Sequence, residues 1–200
     1  MKTITFVTGN PTKISHANEI LQKFGFEAIG KKLDIVEPKE GNPEKVVAEK
    51  ARQAFQILGS PLIVEDSGIF IKALNDFPGT FVHFAVETIG IANILKMMDG
   101  VGDRHAEFRQ SLAYIEPGTK EPKIFSYTDG NYKIANKIWE PAYESDEFDR
   151  ILIPPGETQS LCMFTKEWRA KRDAEVNSKT IHYKQLANWL TSEANLSKWK

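Results

Sequence analysis

Apolar and polar positions run along this chain with two periods, one of strands and one of helices. Residues 3–8, with Ile4, Phe6 and Val7 among threonines, are β-branched and aromatic and predict a first strand. Gly9 breaks it. Asn10 then stands as a helix N-cap with Pro11 at the first helical position. Ile14, Ala17, Leu21 and Phe24 follow at helical spacing, and Gly25 ends the pattern. Residues 26–36 predict a second extended segment that stops at Glu37-Pro38. Asn42-Pro43-Glu44 opens a second helix, with Val47, Ala51, Ala54, Phe55 and Leu58 on its apolar face. Lys50 lies within this helix beside the stripe. Two readings are open for it: a stem that snorkels along apolar surface, or an ammonium pointing into a cleft.

The next apolar run, Pro61-Leu62-Ile63-Val64, stops at two adjacent carboxylates, Glu65 and Asp66. Ser67 and Gly68 follow before the chain turns apolar again at Ile69. This predicts a buried strand ending in an acidic edge and a tight turn. The carboxylates either solvate a loop or stand at a ligand site, because α/β sheets bind ligands outside the carboxyl ends of their strands. Residues 77–81 form a turn with aromatics on both sides. Residues 82–98 predict a third helix with Phe84, Ile91, Ile94, Leu95 and Met98 as core candidates, and residues 99–103 a glycine-rich loop.

The second half changes character. Residues 106–115 and 123–127 predict strands joined by the turn 116–119, and residues 131–139 a further strand. This is the pattern of an antiparallel meander rather than of βαβ units. An acidic loop covers 140–149, a short buried strand 151–153, and a basic irregular segment 166–172. The basic segment supplies cations to a pocket or is a solvated surface. A last helix runs from 178 to about 193, with His182, Leu186, Trp189 and Leu190 facing inward. The fold class is α/β.

Composition narrows the function classes. The chain has 200 residues, 41% hydrophobic and 26% charged, as expected of one soluble globular domain. A net charge of -1 gives no global field for nucleic acid or an anionic membrane, so neither is expected as a partner. The single cysteine, Cys162, cannot form an internal disulfide and reads as structural, which points to a cytoplasmic home. The N-terminal residues read as a strand rather than a signal peptide, and there is no apolar run long enough for a membrane span.

Several strand and loop ends carry suggestive groups. Thr8, Gly9, Asn10 and Lys13 make a glycine-containing turn into a helix N-terminus, where free amides and the helix dipole favour a phosphate. The spacing is not that of a Walker A loop. Lys13 and Lys50 supply cations, and Glu37, Glu65 and Asp66 supply carboxylates for a hard ion. Mg²⁺ is usually held by one or two carboxylates together with substrate phosphates. Together these are the parts of a nucleotide-phosphate site.

Their order and spacing resemble one family. TGNPTK at Thr8, the acid at Glu37, Lys50, VEDSGIF at Val64 and ALNDFPGT at Ala73 look like the inosine/xanthosine triphosphate pyrophosphatases. Those enzymes hydrolyse non-standard purine nucleoside triphosphates such as ITP, XTP and dITP. The resemblance implies an elongated fold: a long, mixed, twisted sheet of anticodon-binding-like topology, with flanking helices and two lobes around a nucleotide cleft, as a single bilobed domain. It implies that residues 8–13 grip the triphosphate, that Glu37 and Asp66 hold Mg²⁺, and that Asp66 is the general base, supported by Glu65. Ser67 would touch the substrate and Lys50 would neutralise phosphate charge. Water would attack the α-phosphorus, releasing a monophosphate and pyrophosphate. A homodimer is implied as well.

The second half departs from the family's pattern. A stretch close to GFGYDPIFxP is replaced by SDEFDRILIP. Asp149 and Pro154 match it and Phe148 replaces an aromatic, but Asp146 stands where an aromatic stacks on the base and Glu147 replaces a glycine. Near the C-terminus, a lysine followed by Ser-His-Arg is replaced by VNSKTIHYKQL. One alignment keeps His182, with Asn177 at the lysine and Tyr183 at the arginine. A one-residue shift puts Ile181 and His182 at the histidine and arginine. Either way the groups that read the purine's 6-oxo edge are changed, and a site discriminates by hydrogen bonds only where its donors are present. Three readings follow: a pyrophosphatase with relaxed or altered base specificity, an ordinary inosine/xanthosine enzyme, or a nucleotide-binding regulatory protein with little turnover.

Overall fold

The structure is a computed structural model that describes residues 1–179 and 181–192. The strands are β1 (Lys2–Val7), β2 (Phe26–Lys31), β3 (Leu62–Ile71), β4 (Pro78–Gly79), β5 (His105–Ile115), β6 (Lys123–Ile134) and β7 (Leu152–Ile153). The helices are α1 (Pro11–Leu21), α2 (Pro43–Leu58), α3 (Val82–Thr88), α4 (Ile91–Met97), α5 (Lys166–Ser178) and α6 (His182–Leu190). The strands form one seven-stranded mixed sheet in the order β2-β1-β3-β5-β6-β7, with β4 paired to β3. The α/β expectation holds. Among the described residues, no helix is long and apolar enough to cross a membrane.

By its internal contacts the chain divides into two compact units. The first comprises Met1–Asp66, Gln110–Tyr127 and the described residues from Asn177 onward. Here β1 pairs in parallel with β2, from Lys2↔Phe26 to Val7↔Lys31, and in parallel with β3 at Thr5↔Leu62 and Phe6↔Ile63. Parallel strands are buried on both faces, in keeping with the apolar, buried stretches Phe6-Val7 of β1 and Leu62-Ile63-Val64 of β3. Val7, Leu62 and Val64 pack against Val47, Ala51 and Ala54 of α2.

The second unit comprises Ser67–Arg109 and Thr128–Val176. Its core gathers Ile69 and Ile71 of β3, Ala85 of α3, Ile91 and Ile94 of α4, Ile134 of β6, and Phe148, Ile151 and Leu152. Cys162 is fully buried and unbridged, as its structural reading requires.

Five expectations change. The apolar–acidic–apolar stretch from Leu62 is not a strand and a turn but one ten-residue strand running through Glu65, Asp66, Ser67 and Gly68. Gly68 marks a close backbone approach instead: a Cβ there would stand 2.2 Å from the Gly79 carbonyl oxygen on neighbouring β4. The predicted third helix is two helices, broken at Gly90 with φ 78°. Ala85 rather than Phe84 faces inward, and Phe84 is 64% exposed. The strands predicted at 123–127 and 131–139 are one strand, β6, ending at Ile134. The basic segment 166–172 is not irregular but the first half of α5. That helix buries no side chain and is fastened by polar contacts, so hydrophobic periodicity does not reveal it. The predicted last helix begins at His182 rather than 178, and Glu193, its expected end, lies outside the described residues.

Candidate active site

The turn from β1 into α1 is organised by local chemistry. Asn10 is extended, and its Oδ1 accepts from the amides of Thr12 at 2.9 Å and Lys13 at 3.4 Å. Thr8 Oγ1 accepts from the Asn10 amide at 3.1 Å. The helix therefore starts where the Asn-Pro pair predicts, but the amides of Thr12 and Lys13 are not free. An anion here would meet the helix dipole and the Lys13 ammonium first, and would take the capped amides only by displacing Asn10. Extending the β1–β3 register by two residues sets Thr8 level with Glu65, so this turn and the two carboxylates share one level of the parallel sheet.

Glu65 is 7% exposed and centres a buried polar cluster. Lys13 Nζ lies 3.3 Å from its Oε1 and 3.4 Å from its backbone carbonyl oxygen. The Tyr183 hydroxyl, from α6, donates to Glu65 Oε2 and lies 3.4 Å from the Lys13 carbonyl oxygen. Burial pushes the Glu65 carboxyl up, but the Lys13 ammonium and the Tyr183 hydroxyl outweigh it and hold the group below the ordinary glutamate value. Burial and the facing carboxylate push the Tyr183 phenol well up, so it keeps its proton and serves as donor.

His182 is beside this cluster, with its ring 4.2 Å from that of Tyr183. It is 1% exposed, and among the described residues neither ring nitrogen has a hydrogen-bond partner. Burial lowers it to about 4, against an upward pull from Glu65, so the ring is neutral at pH 7.

Asp66 belongs to the opposite face. Successive side chains of a strand alternate, so Asp66 shares a face with Val64, which packs on α2. Lys50 projects from α2, with its ammonium 2.9 Å from both carboxylate oxygens of Glu37. The Lys50 side chain is 15% exposed and that of Glu37 66%. Lys50 therefore extends from a mostly buried stem to a solvent-facing carboxylate.

Among the described residues no group of three or more His, Cys, Asp or Glu side chains gathers to hold a metal. The all-oxygen donors Glu37 and Asp66 match the hardness of Mg²⁺, which takes few protein ligands and completes its shell with phosphate and water oxygens. They do not suit a metal that needs a closed protein cage.

The remaining predicted residues are distributed as follows. Gly9 sits in the turn, where an added Cβ would make only ordinary contact with the Lys32 side chain. Ser67 follows Asp66 on β3 and is half-buried. Asn177 directs its amide to Glu19 of α1 at 3.3 Å. In the second unit, Phe148 is 3% exposed and part of the core, so its ring is packing rather than a presented face. Asp149 is bound by Arg169 at 2.9 Å, and Arg169 also donates to the Leu161 carbonyl oxygen. Burial nevertheless leaves the Asp149 carboxyl raised. Sequence reasoning passes over the roles of Tyr183 and Arg169. Nothing local marks either one, since each acts on a residue far away in the chain.

A protein-family model described as the Ham1 family matches residues 4–177. A dITP/XTP pyrophosphatase of Methanopyrus kandleri is 35% identical over 93% of this chain and 95% of its own length. Another, from Methanothermobacter marburgensis, is 41% identical over 94% and 96%. Among solved structures, a HAM1 protein from Coxiella burnetii superposes with a TM-score of 0.78, at 22% identity over 96% of this chain and 99% of that one.

Proposed function

The chain belongs to the Ham1 family, and from that premise we propose that it is a nucleoside triphosphate pyrophosphatase acting on purine triphosphates such as dITP, XTP and ITP. The products are the nucleoside monophosphate and pyrophosphate. One arrangement carries the reading: Lys13, at the turn into α1, is held by buried Glu65, and Lys50 of α2 is held by Glu37. Two ammonium groups suit a polyanion, because each can exchange its carboxylate for a phosphate oxygen.

In this reading the triphosphate lies against the α1 turn, where Lys13 grips the bound phosphates, and Lys50 stabilises the charge that develops on the departing pyrophosphate. Asp66 orients water and takes its proton as the water oxygen attacks the α-phosphorus. Glu65 stays ionised and keeps Lys13 in place. Glu37 and Asp66 would hold Mg²⁺, which would supply Lewis-acid neutralisation of the phosphate oxygens. On the base side, Asp146 stands at the aromatic position and the Phe148 ring is buried. These two features favour relaxed or altered base specificity over a strict inosine/xanthosine preference. The same reading carries a homodimer and a cytoplasmic location, which sedentary measurements such as size-exclusion with light scattering and cell fractionation check.

The test is a substrate panel with Mg²⁺ present or chelated: the triphosphates of inosine, deoxyinosine, xanthosine, guanosine, adenosine and the pyrimidines, with products separated. Monophosphate and pyrophosphate from the inosine and xanthosine triphosphates are expected, with measurable turnover of at least one further base. Nucleotide binding without turnover of any member would replace this reading with the regulatory one.

A further inference from the structure

In one of the two alignments Tyr183 stands where the resemblance sets an arginine, and its hydroxyl is spent inside the protein. It donates to Glu65 Oε2 and lies 3.4 Å from the Lys13 carbonyl oxygen. The other Glu65 oxygen, Oε1, faces the Lys13 ammonium at 3.3 Å. One carboxylate is thus fixed from both sides, by α6 through the phenol and by α1 through the ammonium. The ring itself is packed edge-on against Phe6 of β1, with centroids 6.3 Å apart, and against His182. A tyrosine here has little freedom to swing out to a ligand.

Lys13, by contrast, keeps a 26% exposed side chain. It is the member of the trio that solvent and substrate can reach.

We propose that Tyr183 is a positioning residue: through Glu65 it sets where the Lys13 ammonium stands at the α1 turn, and so sets affinity for the triphosphate. With Tyr183 in place the Glu65 side chain has one orientation, with Oε2 toward α6 and Oε1 toward Lys13. Without the hydroxyl the carboxylate can rotate or draw the ammonium inward, away from the turn. The inference rests on the proposed pyrophosphatase reaction for its kinetic readout only.

The experiment is a double-mutant cycle of Tyr183→Phe and Glu65→Gln, with KM and kcat measured separately on dITP. Phenylalanine keeps the ring packing, so Tyr183→Phe should melt close to wild type. Its KM should rise by about tenfold, the scale of one lost hydrogen bond to a charged group, while kcat changes by less than about twofold. In the Glu65→Gln background the same substitution should change KM by less than about twofold. Unchanged KM in Tyr183→Phe, or effects that multiply across the cycle, would overturn the proposal.

A second readout needs no turnover. The acetylation rate of Lys13, followed by mass spectrometry on the intact chain, should change at least about threefold in Tyr183→Phe while the other lysines keep their rates. An unchanged Lys13 rate would overturn the proposal. If wild type turns over no nucleotide, the pyrophosphatase reading fails, and this labelling result still decides the role of Tyr183.

Discussion

The Lys50 ammonium stands 2.9 Å from both oxygens of the Glu37 carboxylate. A pair whose acid is mostly in water contributes little to stability, about 0–1 kcal/mol. Lys50→Ala should therefore leave the urea midpoint nearly unchanged. If the pair is a phosphate and cation site, the same substitution should lower kcat/KM on dITP by at least about tenfold, the scale of losing a charged contact to the transition state. A variant equally stable and equally active would reduce the pair to a surface salt bridge.

Glu65 and Asp66 adjoin in sequence and serve opposite faces, so their substitutions should separate. Asp66→Asn should cut kcat by about 10²-fold or more, as expected when a general base is removed, with KM little changed. Glu65→Gln weakens the hold on Lys13 and should act mainly on KM. Steady-state kinetics on both variants distinguishes these patterns; near-normal kcat in Asp66→Asn would remove its assigned role.

His182 is buried and lowered to about 4, against about 6.5 for an unfolded histidine. Its folded value lies below its unfolded one, so the unfolded chain binds the proton first as pH falls. Stability is therefore full above about pH 6.5 and is lost as pH falls toward 4, by on the order of 2 kcal/mol at pH 5. The lowered Glu65 carboxyl adds a loss in the same direction at still lower pH. Urea unfolding at pH 7.5 and 5.0 should show the decline, and His182→Gln should flatten it.

Gly68 has no room for a side chain, since a Cβ would meet the Gly79 carbonyl group at 2.2 Å. Backbone cannot yield as a flexible side chain can. Gly68→Ala should cost about 1–3 kcal/mol, the range for overpacking, read from the unfolding midpoint. No loss would mean that β4 can move away from β3 freely.

What is legible in the sequence follows the range of the physics. The caps at Asn10 and Asn42 are readable because each forms with its own following residues. The face of α2 is readable because Val47, Ala51 and Ala54 repeat at helical spacing. The middle of β3 misleads because glycine marks a turn and a close approach alike, and only the partner strand decides between them. α5 is hidden because Arg169 and Arg172 fasten it through Asp149 and Asp129 rather than through an apolar stripe. These pairs put the basic segment's two arginines on carboxylates of the protein itself. At the site, the motif residues Lys13, Glu65 and Asp66 are visible in sequence, whereas the tie from Tyr183 to Glu65 spans 118 positions and carries no local mark.

The most direct test of the central claim is hydrolysis of dITP in ¹⁸O-labelled water, with the label located by mass spectrometry. Attack at the α-phosphorus predicts one ¹⁸O in the deoxyinosine monophosphate and none in the pyrophosphate. Label in the pyrophosphate, or release of orthophosphate with a nucleoside diphosphate, would contradict it.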